Sequence, residues 1–161
     1  MKKILYFLVP VLVLAFLFWY SNFSSSGALV VYEGPVQLST SEKFHNFGVV
    51  SMKDGVVSYD FVLKNISEDA LVLKRLYTSC MCTEAVIYSE GQSLGNFSMP
   101  GHGREPRLNH NLFAGEEVRI EVKFNPAAHG PSGVGAIERN VVLETEKGEQ
   151  VVLNIKANVT P

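Results

Sequence analysis

Residues 56–65 read VVSYDFVLKN. Successive side chains of an extended chain point to opposite faces, so Val57, Tyr59, Phe61 and Leu63 share one side of a strand while Ser58, Asp60 and Lys64 share the other. Such a strand is half buried, and the same two-residue period recurs further along. In EVRIEVKFN (117–125), Val118, Ile120, Val122 and Phe124 alternate with Arg119, Glu121 and Lys123. In LNIKANV (153–159), Leu153, Ile155, Ala157 and Val159 alternate with Asn154, Lys156 and Asn158. Less regular candidate strands are 44–50, 70–77, 82–88 and 137–145, each bounded by turn-forming residues, and GALVVYEGP (27–35) reads as a tether running into an edge strand. Residues 65–69 and 146–148 read as hairpin turns. A single such sheet would leave one apolar face wet, so the expectation is an all-β, antiparallel β-sandwich of about seven strands whose two layers bury one another.

Two segments break this rhythm. SEGQSLGNFSMPGHGREPRLNHNLFAG (89–115) is a long connection rich in Gly, Pro and Asn, and NPAAHGPSGVG (125–135) is a shorter one. Long connections of this kind in a compact domain are frequently functional, so chemistry is sought there.

The amino terminus is different in kind. Residues 4–20, ILYFLVPVLVLAFLFWY, are apolar without interruption, preceded by Lys2 and Lys3 and followed by SNFSSSG. As a helix this run covers roughly 26 Å, near the lower limit for a bilayer core. The flanking lysines place the amino terminus inside, and Phe18, Trp19, Tyr20 and Phe23 occupy the position of an outer aromatic belt. The reading is a transmembrane helix or signal anchor over 1–23, a linker over 24–35 and an extracytoplasmic β-sandwich domain over 36–161. A signal peptide cleaved near Ser25 to Ala28, with secretion of the remainder, is the alternative. Beyond Lys3 there are 12 of the chain's 14 basic residues against 16 acidic ones. That balance of −4, with its cations scattered singly, excludes nucleic acid as a partner, because phosphate chains need clustered positive charge.

TSCMCT (78–83) holds both cysteines of the 161-residue chain. In an extended strand residues two apart face the same way, which sets the sulfurs of Cys80 and Cys82 side by side. Their Cα atoms would then be about 6.6 Å apart, close to the upper limit for a disulfide, so such a bond would be strained and easily reduced. Sharing a metal asks only that each sulfur come within about 2.3 Å of one ion. The irregular loops supply further donors: Met99 and His102 in MPGHG, His110 in LNHN, and His129 in AAHGP. Cys80, Cys82, His102 and His129 would satisfy tetrahedral Zn, and the thioether of Met99 tilts the set towards Cu(I). Disulfide chemistry and inert burial of two small side chains stand beside this reading. His45, inside a candidate strand, and His110 read as structural. No H-E-x-x-H, C-x-x-C, nucleophile elbow or phosphate-binding glycine loop is present, so the chain is read as a binding module and not an enzyme.

FHNFGVV (44–50), the stretch from Val57 to Thr83 ending in TSCMCT, AGEEVRIEVKFNP (114–126) and VVLNIKANVTP (151–161) together resemble the bacterial domain of unknown function 1573 family. This is an Ig-like group related in architecture to the MSP and ASH sandwich modules. The resemblance runs over 44–161, and its most specific element is Ser79, Cys80, Cys82 and Thr83. Met81 stands where glycine is usual, and residues 89–115 form an insertion. What the resemblance implies is an Ig-like sandwich outside the cytoplasm; it brings no established activity. A purely structural module that recruits a protein partner by β-addition, its cysteines incidental, is the reading to set against a metal site.

Overall fold

The structure is a computed structural model, and it describes residues 37–103 and 107–161. The anchor expected over 1–23, the linker over 24–35 and the edge strand within 27–35 lie outside them. Among the described residues no helix is long and apolar enough to cross a membrane.

The strands follow in the order β1 (Leu38–Thr40), β2 (Phe44–Ser51), β3 (Val57–Asn65), β4 (Leu71–Thr78), β5 (Thr83–Ser89), β6 (Gln92–Phe97), β7 (Arg107–Leu112), β8 (Glu117–Phe124), β9 (Gly135–Thr145) and β10 (Gln150–Thr160). They form two five-stranded sheets, β1-β3-β8-β5-β6 and β2-β10-β9-β4-β7. The alternation read in 57–63, 118–124 and 153–159 is what the sheets use. Phe61, Leu63, Ile120, Val122, Phe124 and Ile87 of the first sheet are buried together with Leu73, Leu76, Val141, Leu143, Leu153 and Ile155 of the second. At about 25 cal/mol per Å² of apolar surface removed from water, this shared interior is the main force holding the layers together.

The sandwich departs from expectation in four ways. It has ten strands among the described residues, where about seven were expected. The surplus comes largely from 89–115, which carries β6 and β7 where a structureless connection was expected. Both are edge strands, and an edge strand needs few inward apolar positions: Phe97 and Leu112 are the fully buried residues of β6 and β7. The fold is not wholly antiparallel, because β2 runs parallel to β10. An extra residue on β2 shifts that register between Asn46 and Val49, and Gly48, at φ +71°, takes the left-handed conformation the bulge requires. Finally, 65–69 is no hairpin turn, since β3 and β4 lie in different sheets. It is a corner locked by the buried Asn65, whose amide donates to the carbonyls of Asp69 (2.8 Å) and Leu112 (2.9 Å) and whose oxygen accepts from Ser67 N (2.9 Å). The turn at 146–148 does join the antiparallel pair β9 and β10.

A second corner carries the chain back from β4 to β5 and contains both cysteines. In the register of the first sheet Thr83 and Val57 both lie opposite Phe124, whereas Lys64 lies opposite Glu117. The cysteine corner and the Asn65 corner therefore cap opposite ends of the sandwich.

Candidate functional site

Cys80 and Cys82 lie in a turn, not on an extended strand. Thr83 N donates to Cys80 O at 3.1 Å, closing that turn, and the buried Thr78 hydroxyl lies 3.0 Å from Cys80 O and 2.9 Å from Thr83 O. The turn is tied to both sheets. Ser79 N donates to Asn140 O and Asn140 N to Ser79 Oγ, each at 2.9 Å, while Asn125 N donates to Cys82 O at 2.9 Å. This bracing holds the two thiols close for a reason other than strand periodicity: the turn folds Cys82 N back onto Cys80 Sγ at 3.4 Å.

The loop after β8 brings the third donor. Ala127 N donates to Asn125 Oδ1 at 3.0 Å, Gly130 N donates to Ala127 O at 2.9 Å, and a short 3-10 turn, Gly130–Gly133, follows with His129 at its start. These successive turns point the exposed His129 at the cysteines, and its Nε2 lies 3.2 Å from Cys80 Sγ. The ligand atoms of Cys80, Cys82 and His129 all lie within 4.8 Å of one another. Among the described residues this is the cluster of His, Cys, Asp or Glu that could hold a metal ion. Two sulfurs and one nitrogen suit a thiophilic ion, since a metal bonded to sulfur at about 2.3 Å and to imidazole at about 2.0 Å spaces its donors by roughly 3.5–4 Å.

The other expected donors come from a different turn. Met99 and His102 bracket a turn in which His102 N donates to Met99 O at 2.9 Å. That turn follows β6 at the same end of the sandwich, where Thr78 N donates to Ser98 O at 3.3 Å, and His102 is no member of the cluster. His45 stacks on Tyr59 with ring centroids 3.6 Å apart, and His110 lies on β7.

A further residue of the site escaped the sequence reading. Arg139, on β9, donates from Nε to Cys82 Sγ at 3.3 Å and from Nη1 to the Glu138 carbonyl at 2.8 Å. It shares its strand face with Ile137, Val141 and Leu143 and lies opposite the buried Ile155. A cation on the apolar phase of a strand was the legible signal, because such a charge needs an anionic partner.

These contacts separate the two thiols. Burial pushes Cys80 up, but the opposing effects outweigh it: hydrogen bonds from Cys82, side chain and backbone, then from His129, and the positive charge of Arg139 bring it down from 9.0 to about 7. Cys82 moves the other way, raised first by its burial and next by its hydrogen bond to Cys80. A shallow pocket of about 200 Å³, lined by Val56, Met81, Cys82, Glu84, Lys123 and Asn125, opens beside the pair.

The two-layer arrangement is an Ig-like β-sandwich. The fold is similar to a crystal structure of a protein of unknown function from Porphyromonas gingivalis W83, with TM-score 0.55 and 10% identity over 83% of this chain and 51% of that one. It is also similar to the ASH / PapD-like domain of human CEP192 (PapD-like domain 7), with TM-score 0.50 and 12% identity over 84% of this chain and 96% of that one. The chain thus spans about half the length of the P. gingivalis protein. It spans about a third of the Vibrio cholerae VesB protease, matched at TM-score 0.46 and 16% identity over 76% of this chain and 32% of that one. No curated protein matches the chain in sequence.

Residues 38–96 match the family model described as Protein of unknown function (DUF1573), the family that the TSCMCT stretch and its flanking strands resemble. The match takes in Cys80 and Cys82 and ends before Met99, His102, His129 and Arg139.

Proposed function

We propose that the chain is a binding module, not an enzyme, in which Cys80, Cys82 and His129 hold a thiophilic metal, Cu(I) or Zn(II). The observation that carries this reading is the convergence of the three donor atoms within 4.8 Å, supplied by two separate corners braced through Asn125. Three donors complete a common Cu(I) shell, whereas Zn(II) takes a fourth, for which Met99 and His102 in the neighbouring turn are the candidates. The apolar run at 4–20 with its lysines supports an extracytoplasmic site held at a membrane, there to shield the ion or pass it to a partner protein.

Metal titration of the reduced chain tests this. One equivalent should bind, and Cys82→Ser or His129→Ala should each weaken binding at least tenfold; a chain that takes up neither metal, or variants that bind as the parent does, would remove the reading.

The opposed shifts of the two thiols favour a second reading, thiol–disulfide exchange. There the Cys80 thiolate attacks a disulfide of a partner protein, Cys82 displaces the partner's sulfur from the mixed disulfide, and the products are the Cys80–Cys82 disulfide and the partner's dithiol. A strongly oxidising potential of the pair, or thiols inert towards a disulfide, would argue against it.

A further inference from the structure

Binding a metal deprotonates both cysteines, so the site brings two negative charges and one neutral imidazole to the ion. A Cu(I) complex of Cys80, Cys82 and His129 then carries net charge −1, and a Zn(II) complex carries none. Sulfur donors by themselves favour soft ions but do not decide between these two, since thiolate serves both. The neighbouring charge does. Arg139 touches Cys82 Sγ at 3.3 Å, projects from the apolar phase of β9, donates also to the Glu138 carbonyl, and lies close enough to Cys80 to interact with its thiol as well. With Cu(I) bound, this guanidinium and the complex sum to zero; with Zn(II) bound, they leave an uncompensated positive charge in a half-buried corner.

We infer that Arg139 is the specificity-determining residue of the site and makes it select a soft monovalent ion, Cu(I), over divalent Zn(II). This rests on the metal reading above and extends it to the charge of the ion. An ion bonded to Cys82 Sγ lies within about 6 Å of Arg139 Nε. At that range, with an effective dielectric between about 20 and 40, one unit of charge is worth roughly ten- to a hundredfold in relative affinity. The ratio of the two affinities carries the information, because the protonation state of the free thiols is common to both and cancels.

The test uses the full chain in detergent, reduced and kept free of oxygen. Its Cu(I) affinity is measured by competition with a chromophoric Cu(I) chelator, and its Zn(II) affinity with a chromophoric Zn(II) chelator. In Arg139→Gln the Cu(I)-to-Zn(II) affinity ratio should fall about tenfold or more, while Arg139→Lys should stay within about threefold of the parent. Should the glutamine variant fail to fold, Arg139→Met, which keeps an apolar stem opposite Ile155, gives the same reading. A merely structural role would weaken both metals by one factor and leave the ratio unmoved, which overturns the inference while leaving the metal site standing. A parent chain that binds neither ion overturns both.

Discussion

The sharpest consequence of the cysteine corner is kinetic and needs no metal. Cys80 is brought from 9.0 to about 7 by the Cys82, His129 and Arg139 contacts that outweigh its burial. At pH 7 about half of it is thiolate, against roughly 1% for a thiol left at 9.0, about a fiftyfold difference. A thiolate of lower basicity is a weaker nucleophile, by roughly six- to tenfold over two units, so the net advantage in alkylation at pH 7 is about five- to eightfold. The assay is iodoacetamide labelling of the reduced, metal-free chain from pH 5 to 9, with peptide mass spectrometry assigning the adduct. Labelling should occur first at Cys80 with a midpoint near pH 7, the first proton of the pair leaving there, and Cys82 should react far more slowly. His129→Ala removes one of the hydrogen bonds that lower Cys80, so the midpoint should move up. A rate still climbing through pH 8.5, or first labelling at Cys82, would refute the account. The same shift has a sign for stability. Because the folded value of Cys80 lies below its unfolded one, the fold gains from this group as pH rises from about 7 towards 9, and that gain is lost as pH falls through 7.

Two further perturbations separate the ends of the sandwich. Asn65→Ala takes the side-chain donor from the buried Leu112 carbonyl and the acceptor from Ser67 N, while the Asp69 carbonyl keeps Ser67 Oγ, and should cost about 2–3 kcal/mol in urea denaturation; a loss below about 1 kcal/mol would show that water replaces the amide. Gly133→Ala puts a Cβ 3.1 Å from His129 Cβ, so it should displace that ring and weaken metal binding several-fold while global stability changes by less than about 1 kcal/mol, as paired titration and thermal melts would show.

The inward faces of β3, β8 and β10 were legible because their buried positions obey a strict period of two. What escaped is what periodicity does not encode. β6 and β7 bury little of their length, so their strand character lies in pairing to β5 and β4 and not in their own residues. The parallel partnership of β2 with β10 joins segments about a hundred residues apart, and nothing local in FHNFGVV announces it. His129 could be picked out from its glycine-flanked loop, and the adjacency of the two sulfurs was anticipated from an extended geometry that the turn does not have. Arg139 was visible all along, an arginine in phase with Ile137, Val141 and Leu143, yet its partner was unknowable until β9 met the corner between β4 and β5.

That meeting point explains why chemistry collects at one end of this module. A corner between sheets must satisfy carbonyls and amides that no ladder pairs, and the Asn65 corner does so with a neutral amide whose contacts all close inward. The cysteine corner meets the same backbone demand through Thr78, Ser79 and Asn125. Its sulfurs therefore carry little of that demand, Cys80 Sγ meeting Cys82 N at 3.4 Å, and they face a histidine and an arginine. Exchanging those sulfurs should therefore change what the chain binds far more than how stably it folds, whereas exchanging Asn65 should do the reverse.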